Sequence, residues 1–273
     1  MNSETIKKVT NEAINQLADA LNSGDSKMLT RYLAAMAKFR TYSLLNVLLI
    51  LKQCPNARRV AGYRTWQSLG RQVRQGQKGI MIFAPIFRKR RESVSDADTP
   101  DAASNVVAYR AVYVWDEQQT SGKDLPEIGR VTGDPRVYLA RLEAFVLASG
   151  TELNYSSGIA PARGLAEKGK VTLLPDLTPA ETFATLAHEQ AHIILHQSQR
   201  RTDTTKRIRE TEAEAVAFVV CKAIGLDTST AAQDYVALYG GDAKLLLESL
   251  DHVQQTASQI LDGIELDSQQ RAA

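Results

Sequence analysis

The sequence predicts an α+β fold in two parts, residues 1–128 and 129–273. At about 150 residues per domain, a chain of 273 residues is long enough for two domains. Charge divides the chain as well: residues 1–91 hold 17 Lys and Arg against four acids, a net of +13, and the rest carries a net of −11. Helical and strand-like hydrophobic periods occur in both parts, which predicts helices and a small sheet in each.

The first part begins with apolar residues at helical spacing. They predict helices over residues 4–22, 27–39 and 43–53, the last ending before Pro55. Strands are predicted over 80–87 and 106–115, with a polar exposed loop at 88–105. Turn-rich sequence after Asp116 predicts a boundary within residues 120–135. The first part is thus expected to be a basic α+β domain.

The second part alternates helical and short extended segments. Its periodicity predicts helices over 135–148, 179–196, 207–224 and 242–261, and short strands near 153–155 and 170–174. A mostly helical domain with a small sheet follows from this order.

The sequence has no feature typical of a membrane protein or a secreted protein. The longest apolar run, Leu44–Leu51, is far shorter than the roughly 20 residues of a membrane span. The N-terminal residues show no apolar segment typical of a secretion signal. Cys54 and Cys221 form neither a disulfide nor a metal-binding pattern. We therefore expect a cytoplasmic protein without a membrane partner.

The strongest chemical motif is His188-Glu189-Gln190-Ala191-His192, an HExxH sequence. Two histidines four residues apart lie on one helix face, where both can bind the same Zn²⁺ ion. Glu189 is rotated away from that face and is predicted as a general base acting on water. Mn²⁺ or another divalent ion is compatible with the same ligand types.

A third metal ligand is expected from the next helix. Glu210, Glu212 and Glu214 form either a solvated acidic face or part of the site, and the apolar residues around them favour the site. Glu214 is predicted as the ligand. His196 lies about 6 Å further along the helix than His192, so it is predicted to cap the helix or to orient a neighbouring group.

The basic part has the composition of a nucleic-acid-binding surface. Residues 26–91 contain 15 Lys and Arg and no acid, interleaved with aromatic residues. Cations that meet phosphates and rings that stack on bases are typical of proteins that bind single-stranded DNA. Double-stranded DNA is less favoured because no helix-turn-helix or zinc-finger pattern occurs.

The aromatic residues of this part divide into two predicted groups. Tyr32, Phe39, Phe83 and Phe87 are expected in the core, whereas rings with polar or basic neighbours are expected to bind DNA. The predicted DNA-binding residues are Arg40, Tyr42, Asn46, Arg58, Arg59, Tyr63, Arg64, Trp66, Arg71, Arg74 and Lys78.

Several segments together resemble the ArdC antirestriction family of conjugative plasmids. In the first part they are Phe39–Asn46, Ala61–Trp66, Leu69–Ile80 and Val112–Asp116 with Gln119-Thr120. In the second part, His188–His192 with Glu214 and Phe218 is similar to zincin-type domains, including ImmA/IrrE-like and Spartan-like metallopeptidase domains. The resemblance covers roughly residues 5–262.

This resemblance implies a single-stranded-DNA-binding domain followed by a zincin-like domain, and protection of incoming plasmid DNA from host restriction. It leaves peptidase activity open. One alternative is a DNA-dependent metallopeptidase that cleaves a DNA-bound or restriction-system protein. Another is an ImmA-like regulator that binds a repressor, against which the large basic part argues.

Overall fold

A computed structural model of the chain describes residues 3–22, 26–87, 106–124, 135–197, 200–226 and 243–264. It confirms the mixed α+β class. The predicted boundary near residue 128, the predicted loop at 88–105 and the last residues of the chain lie outside the described residues. The first part begins with three helices, α1 (Ser3–Asn22), α2 (Ser26–Lys38) and α3 (Leu44–Gln53), close to the predicted bounds.

Short strands complete the first part. In chain order the elements are β1 (Val60–Ala61), the helix α4 (Tyr63–Ser68), β2 (Arg71–Val73), β3 (Ile80–Phe87), β4 (Val106–Asp116) and β5 (Thr120–Gly122). β4 pairs antiparallel with both β1 and β3, and Ile82 faces Val112 across the β3–β4 pair. β2 and β5 form a separate antiparallel pair. The sequence at 59–66 predicts an extended stretch followed by a turn, and the structure has β1 there, followed by the helix α4.

In the second part a three-stranded sheet packs against helices. Its elements are α5 (Arg136–Ala148), β6 (Glu152–Tyr155), β7 (Gly164–Glu167), β8 (Lys170–Leu173), α6 (Pro179–Leu195), α7 (Arg200–Asp203), α8 (Lys206–Ala223) and α9 (Ala243–Gly263). β8 lies in the middle, parallel to β6 and antiparallel to β7. β7, which the sequence did not predict, is therefore an edge strand and lies beside α6.

The two parts share one hydrophobic core. α2 packs against α8, and α9 packs against α1 and α3. Buried side chains from both parts, such as Leu33 of α2 and Val216 of α8, belong to one continuous cluster. Among the described helices, none combines the length and the apolar character needed to cross a membrane.

Candidate metal centre and nucleic-acid surface

The helix that carries the HExxH residues begins at a well-formed cap. The Thr178 side chain accepts a hydrogen bond from the Glu181 backbone N–H, and the Glu181 carboxylate accepts one from the Thr178 backbone N–H. Pro179 occupies the first turn, where its missing N–H costs nothing. The predicted start of α6 is thus confirmed, and it fixes the register of the two histidines further along the helix.

Two histidines and one carboxylate converge at the surface of α6 and α8. The Nε2 atoms of His188 and His192 lie 3.1 Å apart. The Oε2 atom of Glu210 is 3.6 Å from the first and 3.5 Å from the second. Potential ligand atoms of these three residues all lie within 4.8 Å of one another, which is the spacing of a group that can hold a metal ion.

Glu214, the predicted third ligand, lies on the other side of His188. Its Oε2 atom is 3.3 Å from Nδ1 of His188, the ring nitrogen that faces away from His192. Glu210 and Glu214 share one face of α8, and the way α8 packs on α6 sets Glu210 opposite the two Nε2 atoms. The structure therefore brings Glu210, rather than Glu214, to the histidine pair.

Glu189 lies beside the histidines and is held by the edge strand. Its side chain is largely buried, and the backbone N–H of Ala166 in β7 donates to its carboxylate. A Cβ atom at Gly164 would lie 2.5 Å from Oε1 of Glu189, so only glycine permits this close approach. Burial raises the pKa of Glu189. A carboxylate whose pKa is raised is a stronger proton acceptor than an ordinary one, as a general base requires.

A buried chain of polar groups extends from His192 into the core. Nδ1 of His192 lies 3.0 Å from Nδ1 of His196, and Nε2 of His196 lies 3.0 Å from Oε2 of Glu212. Both His196 and Glu212 are almost wholly buried. Arg200 binds the Glu212 carboxylate through Nε and Nη2. Glu212 is thus a buried structural carboxylate and not part of a solvated acidic face.

The pKa shifts at the site show that it favours positive charge. Although burial lowers the pKa of His188, the Glu210 and Glu214 carboxylates raise it to about 9. The hydrogen bond from His188, together with the nearby His192 ring, holds the pKa of Glu210 well below its usual range. Imidazole nitrogen and carboxylate oxygen are ligands of Zn²⁺ and Mn²⁺, so the donor set fits a divalent metal ion. When bound, such an ion supplies Lewis-acid chemistry.

The ligand group opens into a cleft between β7 and α8. Leu165, Ala166 and Glu167 of the edge strand line this cleft, together with Glu189 and both histidines. Four basic side chains also line the cleft, namely Lys168, Arg201, Lys206 and Arg209. The site is therefore open to a ligand from solvent.

The predicted DNA-binding residues separate into exposed and internal sets. The exposed side chains are Arg58, Tyr63, Arg64, Arg74 and Lys78. Arg59 and Arg71 are half-buried: Arg59 lies 3.6 Å from the Glu117 carboxylate, and Arg71 donates to the Thr120 hydroxyl.

The remaining predicted residues have structural partners. Arg40 is buried and pairs with Asp262, and Asn46 exchanges two hydrogen bonds with the Phe83 backbone. The Trp66 ring is fully buried, and its Nε1 donates to the Trp115 carbonyl. The half-buried Tyr42 donates its hydroxyl hydrogen to the Val60 carbonyl. Arg40, Asn46 and Trp66 are thus too buried to contact DNA, because their side chains bind other residues of the protein.

An aromatic strip lies on the outer face of β4, and of its four residues only Tyr63 was predicted from the sequence to bind DNA. We define it as Tyr63, Trp115, Tyr113 and Tyr109. Tyr63 meets Trp115 edge to face with ring centroids 6.0 Å apart, and Tyr63, Tyr113 and Tyr109 are 45%, 55% and 58% exposed. Residues 109, 113 and 115 lie on one face because side chains alternate along a strand. The pattern Tyr-Arg-Ala-Val-Tyr-Val-Trp carried this information.

The turn between β2 and β3 brings cations to the strip. A Cβ atom at Gly79 would lie 3.0 Å from Cβ of Tyr113 and 3.1 Å from the Trp115 ring, so this turn lies against both residues. Trp115 donates to the Gln77 carbonyl, and Gln119 donates to the Lys78 carbonyl. Exposed Arg74 and Lys78 belong to the same turn, and exposed Arg64 follows Tyr63. Rings and positive charges therefore form one surface.

Comparison with known proteins gives a match in the first part. Residues 3–115 match a family model described as the N-terminal domain of the anti-restriction factor ArdC. An uncharacterized protein of Bacillus anthracis is 25% identical over 312 aligned residues, which cover 96% of this chain. The chain spans about half the length of that relative, 51%.

Two crystal structures of the antirestriction ArdC protein from the R388 plasmid are also similar. The metal-free structure is 23% identical, covers 81% of this chain and 84% of that chain, and has a TM-score of 0.49. The Mn(II)-bound structure is 20% identical, covers 86% and 98% respectively, and has a TM-score of 0.48.

Proposed function

We propose that this chain, whose residues 3–115 match the N-terminal domain of the anti-restriction factor ArdC, is a member of the ArdC antirestriction family. In this proposal it binds single-stranded DNA and protects incoming plasmid DNA from host restriction in the cytoplasm. We also propose that His188, His192 and Glu210 hold a divalent metal ion, Zn²⁺ or Mn²⁺. The single observation that carries the DNA-binding role is the aromatic strip with its neighbouring cations.

The strip supports single-stranded rather than double-stranded DNA. Exposed rings can stack only on bases that are not already stacked in a duplex, and each base–ring contact is worth about 1–3 kcal/mol. Arg64, Arg74 and Lys78 are exposed beside the rings and can meet phosphates. Neither interaction selects a base sequence, which suits a protein that must bind any incoming strand.

Fluorescence anisotropy with a labelled oligothymidylate tests this role. We expect binding that weakens steeply between low and high salt, and weaker binding to a duplex of equal length. Tyr63→Ala and Tyr113→Ala should each weaken binding by about 5- to 150-fold, the equivalent of one lost stacking contact. Tyr155→Ala, a 48% exposed tyrosine on β6, is the matched control. Salt-independent binding, or equal affinity of all three variants, would contradict the proposal.

The metal proposal is tested by metal analysis of the purified protein and by a substitution that separates binding from catalysis. Glu189 is not in the ligand group, so Glu189→Gln should retain the metal. The same variant is then assayed for transfer of unmodified plasmid DNA into restricting and non-restricting hosts. Full protection by Glu189→Gln would show that antirestriction needs no proton transfer at this residue. Loss of protection with the metal retained would instead support hydrolysis as part of the function.

A further inference from the structure

The buried groups behind His192 form a line of hydrogen bonds with one consistent direction. Glu212 is fully enclosed and accepts from both Nε and Nη2 of Arg200. Ser249 of α9 is also hydrogen-bonded to this carboxylate. With this many donors around it, the Glu212 carboxylate acts as an acceptor, and His196 Nε2 at 3.0 Å must therefore donate its hydrogen to Oε2.

The direction of the next bond follows from the first. A neutral imidazole carries one N–H, so a hydrogen on Nε2 of His196 leaves its Nδ1 as an acceptor. Among the described residues, the group within hydrogen-bond distance of that acceptor is Nδ1 of His192, 3.0 Å away. Nδ1 of His192 must then carry the hydrogen, and its Nε2 keeps a free lone pair. That lone pair lies on the side of His188 and Glu210.

We infer that His196, Glu212 and Arg200 are positioning residues that hold His192 in its Nδ1–H form with Nε2 turned towards the proposed metal ion. This inference rests on the metal site of the proposed function, and it adds three residues that act on the ligand group through His192. Histidine ligands in metal sites commonly have the second ring nitrogen fixed by a hydrogen bond, which sets the tautomer and the ring orientation.

The hydrogen-bonded residues behind His192 come from several helices, which holds them in place. His196 is the residue that ends α6, and Glu212 lies on α8 two residues after Glu210. Arg200 belongs to α7 and Ser249 to α9. The carboxylate of Glu212, which orients His192 through His196, is thus carried by α8 and bonded to residues of α7 and α9. A ligand nitrogen held in this way pays little entropy on binding a metal ion.

Nuclear magnetic resonance of the metal-free protein tests the tautomer directly. Long-range ¹H–¹⁵N spectra distinguish the two imidazole tautomers, and the chain has only four histidines, with His252 on α9 as an internal reference. We expect Nδ1–H for His192 and Nε2–H for His196. The opposite tautomer at either residue would overturn the inference, whether or not the protein binds metal.

Metal affinity of two variants provides the second readout. His196→Phe fills the space without an acceptor, whereas His196→Gln retains an amide oxygen that can accept from His192. In a chelator-competition titration with Zn²⁺ we expect His196→Phe to weaken binding by about 10- to 100-fold and His196→Gln to recover most of the loss. Equal affinities for wild type and His196→Phe would overturn the inference. Absence of Zn²⁺ binding in the wild type would defeat the metal proposal instead, and the tautomer measurement would still decide the inference.

Discussion

Nη1 of Arg40 lies 2.6 Å from Oδ1 of Asp262, and this ion pair joins the loop after α2 to the end of α9. The Arg40 side chain is 7% exposed and that of Asp262 is 57% exposed. The backbone carbonyl of Arg40 also accepts a hydrogen bond from the Ser258 hydroxyl of α9. A residue predicted to contact DNA thus connects the basic part of the chain to the part that carries the HExxH residues.

We predict that Arg40→Ala destabilises the protein without weakening DNA binding. The substitution removes a charged hydrogen bond and the packing of a buried stem, so the free energy of unfolding should fall by about 1–3 kcal/mol. Arg31→Ala, an exposed arginine on α2, should change it by less than about 0.5 kcal/mol. Urea unfolding and oligothymidylate binding measure the two effects. A fall in affinity at unchanged stability would restore Arg40 to the DNA-binding set.

Removing each acidic side chain in turn identifies the third metal ligand. Glu210 faces both Nε2 atoms, and Glu214 faces only Nδ1 of His188. Glu210→Ala should therefore weaken metal binding by more than about 100-fold, and Glu214→Ala by about 10- to 100-fold, as for an outer hydrogen-bond partner. Glu248→Ala on α9 serves as the control. A larger loss for Glu214→Ala would favour the ligand predicted from sequence.

Gly164→Ala should disturb Glu189. The added methyl group would lie 2.5 Å from Oε1 of Glu189 and 2.6 Å from Cγ2 of Thr185, and such overpacking costs about 1–3 kcal/mol of stability. Gly62→Ala, which would meet nothing within 4 Å, is the control. In a Glu189→Ala background the cost of Gly164→Ala should shrink, because the close contacts with the Glu189 side chain disappear and only the one with Thr185 remains. If Gly164→Ala lowers the free energy of unfolding equally in both backgrounds, the added methyl group displaces strand β7 and not the Glu189 carboxylate.

Cys221 should make stability depend on pH in alkaline solution. Burial raises the pKa of this thiol from 9.0 to about 12. Because the folded protein holds the proton more tightly than the unfolded chain, the stabilisation is complete below about pH 9 and is lost as the pH rises towards 12. Cys221→Ala should lack this decline, which unfolding curves between pH 8 and 11 can measure. In native protein at pH 8 a thiol reagent should modify half-buried Cys54 well before Cys221.

Local features of the sequence predicted much of this structure. The capping residues Thr178, Pro179 and Glu181 specify the start of α6, and the four-residue spacing of His188 and His192 specifies their shared face. The predicted helix start at residue 179 and the predicted shared face were right because capping and helical period depend on residues close in the chain.

Features that depend on packing between distant segments were not predicted. Whether Glu210 or Glu214 faces the histidines depends on the rotation of α8 against α6, and the spacing within α8 allows either residue. Trp66 has basic and polar neighbours in sequence, but its partners are the carbonyl of Trp115 and the core. Conversely, the alternation of Tyr109, Tyr113 and Trp115 was visible in the sequence and identifies an outer strand face.

The packing of α2 on α8 has a consequence for how such chains can evolve. α8 supplies Glu210 to the ligand group, and its buried residues lie in the same cluster as those of α2. A recombination event that replaced either part alone would bring mismatched surfaces together and leave apolar side chains in water. The basic part and the HExxH part are therefore expected to be inherited together, and substitutions at α2 should be compensated at α8 across descendants.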